Sequence, residues 1–95
     1  MDNKNMDNKK TWYVYILECC DGSFYTGVTS DLDKRMKAHS CGQGSKYVYG
    51  KGFKRLLRVR ECKDKSEACK CEYQIKQLPR GEKLGWFGEE DYVVS

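Results

Sequence analysis

The chain has 95 residues, 39% apolar and 34% charged, and 18 Lys and Arg against 14 Asp and Glu leave a formal net charge of +4. That length holds one domain with one core, and that balance points to a soluble globular class rather than a disordered one. No apolar run approaches a membrane span, so no membrane partner is expected, and the polar stretch from Met1 to Lys10 lacks the apolar core of a secretory signal, so residues 1–10 read as a disordered tail of a cytoplasmic protein.

Thr11 to Glu18 is a run of β-branched and aromatic residues and predicts a strand. Asp21-Gly22-Ser23 is a turn, and Phe24 to Val28 is a second strand that closes a hairpin with the first. Ser30 to His39 predicts a helix, with Ser30 placed to cap it and Leu32 and Met36 one turn apart. Cys41 to Lys51 reads as a Gly-rich loop, and Phe53 to Arg60 as a third strand. Ser66 to Leu78 predicts a second helix that Pro79 and Gly81 end. Leu84 to Phe87 carries apolar bulk for a short final helix or turn. Residues 88–95, with Glu89, Glu90 and Asp91, read as a second tail. The order β-β-α-β-α over residues 11–87 predicts an α+β domain, a small, mainly antiparallel three-stranded sheet flanked by helices.

Six cysteines stand at 19, 20, 41, 62, 69 and 71. The close pairs are adjacent or one residue apart, which closes no zinc knuckle, and a disulfide framework belongs to secreted chains. Reduced thiols are expected, several of them buried.

From Lys46 to Lys65 the basic residues are Lys46, Lys51, Lys54, Arg55, Arg58, Arg60, Lys63 and Lys65, against only Glu61 and Asp64. Tyr47, Tyr49 and Phe53 are interleaved with them. Cations for phosphates and rings for stacking suit a nucleic-acid surface, and a solvated strand face explains the run equally well.

Three features ask for more than packing. Glu72 falls at the edge of the apolar stripe formed by Ala68, Cys71, Ile75 and Leu78; an inward carboxylate needs either a basic partner or a cation. Arg35 and His39 are four apart on one helical face, where Arg can fork a phosphate and His can move a proton, or both can simply be solvated. Tyr15 and Tyr25 lie on neighbouring strands, and Gly27 shares the face of Tyr25, a usual mark of close backbone approach.

Taken together these residues resemble the GIY-YIG nuclease family. Tyr13-Val14-Tyr15 stands where many members have Gly-Ile-Tyr, and Tyr25-Thr26-Gly27 stands for Tyr-Ile-Gly across a short hairpin. The run from Tyr25 to His39 looks like the family's second strand and first helix, with Arg35 in the expected place, and Glu72 matches the metal-binding Glu. The resemblance covers roughly Thr11 to Lys83 and is nearest to the short single-domain bacterial members. The first triplet lacks Gly and Ile, and no Asn follows Glu72, where several relatives have one.

The resemblance implies a metal-dependent endonuclease that hydrolyses phosphodiester bonds in nucleic acid, DNA in particular. Tyr15, Tyr25, Arg35 and His39 would be its catalytic residues, with one of the tyrosines, or a water it activates, starting the attack. Glu72 would hold a single Mg2+ or Mn2+ ion that binds weakly without substrate. Lys46, Lys51, Lys54 and Arg55 would track the backbone of the nucleic acid. A tyrosine titrates near ~10, so the base needs a cation beside it, supplied by Arg35 and the metal. The other readings are a non-catalytic nucleic-acid-binding module and a subunit whose specificity and activity come from a protein partner.

Overall fold

Strand β1 (Trp12–Cys19) lies at the centre of a three-stranded antiparallel sheet in the computed structural model, with β2 (Phe24–Thr29) on one side and β3 (Phe53–Cys62) on the other. The structure describes residues 10–88. Residues 1–9 and 89–95, which hold nearly all of both expected tails and the acids Glu89, Glu90 and Asp91, lie outside the described residues. Helix α1 (Leu32–Ser40) and a short helix α2 (Lys46–Lys51) join β2 to β3, and helix α3 (Lys65–Lys76), a single turn α4 (Arg80–Lys83) and a 3-10 turn at Leu84–Trp86 follow. The fold is the α+β class expected, with one helix more between β2 and β3.

The unbroken apolar stretch in β1 has a physical reason. Val14, Tyr15, Ile16 and Leu17 are all fully buried, because a central strand is covered on both faces. Val14 and Ile16 point into a core built with Cys62, Ala68, Ile75 and Phe87. Tyr15, Leu17 and Cys19 point to the other face, with Val48 and the partly buried Tyr25, Leu32, Met36, Phe53, Leu56 and Val59. Leu57 and Val59 are two apart yet join different cores. The β1–β3 register slips between Ile16 and Leu17, which pair with Arg58 and Leu56, and this bulge turns Leu57 to the opposite side.

Local chemistry sets the element ends. The Asp21 carboxylate accepts from the Ser23 backbone N–H and hydroxyl in the hairpin turn, where Gly22 takes a φ of 88°. Helix α1 is capped by Asp31, not by Ser30, its carboxylate accepting from Lys34 N–H at 3.1 Å. Asp64 caps α3 in the same way through Glu67 N–H. Within the segment read as a loop, the Ser45 hydroxyl accepts from Tyr47 N–H and Val48 N–H, and Val48 is buried against the sheet. Capping and that one anchor form α2 despite a poor helix sequence, Tyr-Val-Tyr-Gly. The six cysteines are free thiols; Cys19 and Cys62 are buried, and Cys20 and Cys41 are exposed.

Candidate active site

The site is built around the Tyr15 hydroxyl. The hairpin register sets Tyr15 opposite Gly27, and a Cβ at position 27 would lie 2.6 Å from the phenol oxygen, so only glycine lets the ring cross β2. The hydroxyl ends 3.0 Å from His39 Nε2, in the last turn of α1. The imidazole is itself enclosed. It stacks on Phe53, with ring centres 6.2 Å apart, and Gly44 presses against its other nitrogen, where a Cβ would come within 2.5 Å of Nδ1. His39 is 2% exposed, and Nδ1 has no hydrogen-bond partner among the described residues.

Tyr25 is half-buried beside this pair. Its ring centre is 5.6 Å from His39, 6.4 Å from Tyr15 and 5.7 Å from Tyr47. Arg35, one helical turn before His39, is also half-buried. It lines a cleft of about 370 Å³ with Lys10, Thr29, Ser30, Asp31, Lys34 and Ala38, so three cations face one space. Glu72 sits on the flank of α3, beside Cys71 of the first core, and its carboxylate pairs with Lys76 at 3.1 Å.

Electrostatics ties these residues together. Burial raises the Tyr15 pKa well above its ordinary value, and Tyr25 adds to that; Arg35 opposes it by charge and hydrogen bonding, while the negative charge of Glu72 pushes it further up. Residues from two strands and two helices therefore act on one oxygen. The Arg35 charge favours ionisation of Tyr15, but burial outweighs it, so Tyr15 keeps its proton at neutral pH. His39 moves the other way: burial first, and then the charge of Arg35, lower its pKa, so it is neutral near pH 7.

That shift has a consequence for stability. The unfolded chain protonates His39 near pH ~6.5, whereas the folded chain resists the charge to lower pH. Below ~6.5 the unfolded state therefore binds more protons, and His39 costs stability as pH falls toward its folded pKa; above that window it contributes no pH dependence. Urea unfolding from pH 7.5 to 5 should show this loss, and a His39→Gln variant should show a flatter profile. Identical slopes in the two proteins would mean that His39 does not carry the pH dependence.

The basic segment is less uniform than its composition suggests. Lys51 pairs with Asp21 and Arg55 with Glu18, both at 2.9 Å, whereas Lys46 and Lys54 are exposed with no ion-pair partner among the described residues. Lys46 and Lys51 lie on α2, and Lys54 and Arg55 on β3. Several neighbours of the site carry no signal in the sequence. Gly44 and Phe53 clamp His39 through contacts that no local periodicity encodes, and Lys10 joins Lys34 and Arg35 in lining one cleft.

Glu72 fits a divalent cation. It offers one carboxylate, 23% exposed, whose partner Lys76 is a half-exposed surface cation that can swing away. Among the described residues no three His, Cys, Asp or Glu side chains converge as a metal cage. One carboxylate with waters and a substrate phosphate is an ordinary set for Mg2+.

Comparisons with known proteins bear on the fold and the family. A family model described as the GIY-YIG catalytic domain matches residues 11–84. A UPF0213 protein from Oceanobacillus iheyensis is 53% identical over 72 residues, which span 76% of this chain and 84% of that protein. The solution structure of the UPF0213 protein from Bacillus halodurans superimposes with a TM-score of 0.51 at 48% identity, covering 80% of this chain and 81% of the other. A second solution structure, of a protein from E. faecalis, gives a TM-score of 0.58 at 37% identity, covering 83% and 84%.

Proposed function

Because the chain belongs to the GIY-YIG nuclease family, we propose that it is an endonuclease that hydrolyses phosphodiester bonds in DNA with one Mg2+ or Mn2+ ion, acting in the cytoplasm. The observation that carries this reading is the convergence on the Tyr15 hydroxyl of His39, through a 3.0 Å hydrogen bond, and of the charges of Arg35 and Glu72.

Phosphodiester hydrolysis needs a proton taken from the attacking water and charge offset on the phosphate oxygens. A free phenolate is a poor candidate for the first task, because burial keeps Tyr15 protonated. A relay avoids that cost. The Tyr15 hydroxyl passes its proton to the neutral His39 Nε2 as it takes one from the water, so no buried phenolate accumulates. Tyr25, half-buried against both rings, orients the incoming water or phosphate. Arg35, flanked by Lys34 and Lys10, holds the phosphate oxygens in the cleft with a planar fork. Glu72 would hold the divalent ion, which when bound supplies positive charge to offset that building on the phosphate.

A second reading rests on one observation: Tyr15 is fully buried and His39 nearly so. A site closed in this way can depend on a protein partner, or on substrate, to open it; a chain that never opens is a non-catalytic binding module. Nicking assays on branched, flapped, duplex and single-stranded DNA separate these. Cleavage that needs Mg2+ or Mn2+ and stops with chelator is expected. Tight binding without cleavage on every substrate would favour the binding module, and cleavage restored by cell extract would favour the partner.

Salt dependence should locate the binding face. Each phosphate contact contributes about 0.9 to the slope of log affinity against log salt on duplex DNA. Lys46→Ala with Lys54→Ala should lower that slope by about two, because both side chains are exposed and unpaired among the described residues. Lys51 and Arg55, already held by Asp21 and Glu18, should each contribute less. An unchanged slope in the Lys46, Lys54 double variant would move the face elsewhere.

A further inference from the structure

We propose that the pocket between the Gly42–Ser45 loop and Tyr49 is a nucleobase subsite, which takes one unstacked base of a single-stranded segment against the Tyr49 ring with Lys46 on a neighbouring phosphate. The proposal rests on the nuclease reading for its position but not for its chemistry.

The pocket has a volume of about 330 Å³ and is lined by Gly42, Gln43, Ser45, Lys46 and Tyr49. That is near the lower end of small-molecule sites, which run roughly 300–1,000 Å³. Tyr49 is 71% exposed, the most exposed large hydrophobic residue among those described. It is nevertheless placed, not loose. Gly42, with a φ of 82°, lies against the Cδ1–Cε1 edge of the ring, and a Cβ there would come within 2.7 Å of Tyr49 Cδ1. A ring fixed against backbone and open to solvent loses little entropy when a flat partner stacks on it. Tyr73 is nearly as exposed at 67% but is not among the residues that line this pocket, and Tyr47 is engaged with Tyr25 and with the Lys51 ammonium.

The remaining lining groups match a nucleotide. Gln43 carries both donors and an acceptor for the edge of a base. Lys46 is an exposed cation with no ion-pair partner among the described residues, and no acid lies between Cys41 and Lys46. An aromatic face beside an unpaired cation is the arrangement that binds single strands, each stacked base adding affinity whatever its identity. Duplex bases cannot use it, since their faces are already covered by their neighbours. The pocket also borders the candidate site: Gly44, between Gln43 and Ser45, packs on the His39 ring. A base held there lies beside the loop that closes over the His39 ring.

The test uses single-stranded oligonucleotides carrying 2-aminopurine, titrated in excess chelator so that no cleavage is needed. Stacking should quench the fluorophore on binding to the wild-type protein. Tyr49→Ala should abolish the quench and weaken single-strand binding about tenfold, while Tyr49→Phe keeps both. Binding of a blunt hairpin duplex should change less than twofold. Unaltered quench and affinity in Tyr49→Ala would overturn the subsite and leave Tyr49 as a surface for another kind of partner. Equal losses on single strand and duplex would overturn it as well. Neither result touches metal-dependent cleavage, which depends on Tyr15, Arg35 and Glu72 and is scored separately.

Discussion

Tyr15→Phe is expected to cut cleavage by about 10²–10⁴-fold while the domain still folds. The substitution removes one oxygen from a fully buried ring and leaves the ring itself, which fills the face shared with Leu17, Cys19 and Val48. What is lost is the 3.0 Å bond to His39 Nε2, and with it the path by which a proton reaches the imidazole. His39 Nδ1 already lacks a partner, so the variant strands both ring nitrogens. That should cost about 1–3 kcal/mol, seen as a melting point lower by several degrees. A purely structural Tyr15 predicts the melting shift alone. The relay predicts in addition that the acid limb of the wild-type rate profile, set by protonation of His39 below its ordinary range, disappears from the residual activity of the variant. A folded Tyr15→Phe protein that cleaves within threefold of wild type would reduce Tyr15 to a packing residue.

The same hydroxyl marks how far the sequence could be read. The strands were legible because each is a run of β-branched and aromatic residues between turn signals, and strand alternation was enough to put Tyr15, Tyr25 and Gly27 on one surface. Helical spacing likewise set Arg35 and His39 on one face of α1. The closure of that surface was not legible. It comes from Gly44 and Phe53, which reach His39 from a loop and from the far strand. Helix α2 was hidden because Tyr47, Val48, Tyr49 and Gly50 favour other conformations, and only burial of Val48 and the Ser45 cap overrule them. The pairing of Lys51 with Asp21 and of Arg55 with Glu18 spans 30 and 37 residues, so no local pattern could reveal that two of the four expected phosphate contacts are already engaged. Composition counts charges, and only the fold says which of them are free.

Glu72→Gln is expected to abolish Mg2+- and Mn2+-induced NMR shifts around position 72 and to lower cleavage on the order of a thousandfold. The amide keeps the shape of the carboxylate and removes its charge. Losing a cation that offsets ~3–4 kcal/mol of developing phosphate charge corresponds to two to three powers of ten in rate. Stability should hardly move. The pair with Lys76 is a surface i,i+4 contact, with Lys76 55% exposed, and such pairs contribute well under ~1 kcal/mol. Lys76 competes with a cation for the same carboxylate, so Lys76→Met should tighten metal binding, the opposite effect from the neighbouring substitution. The sign of the rate effect is what separates this role from any influence through Tyr15. The charge of Glu72 makes Tyr15 harder to ionise. If Glu72 acted only through that charge, Gln would ease proton loss from Tyr15 and cleavage would rise; if Glu72 holds the metal, cleavage must fall. Faster cleavage by Glu72→Gln, or metal-induced shifts that survive it, would remove Glu72 from the metal site, whereas a fall together with the gain in Lys76→Met would leave the carboxylate as the ligand that both the cation and Lys76 contest.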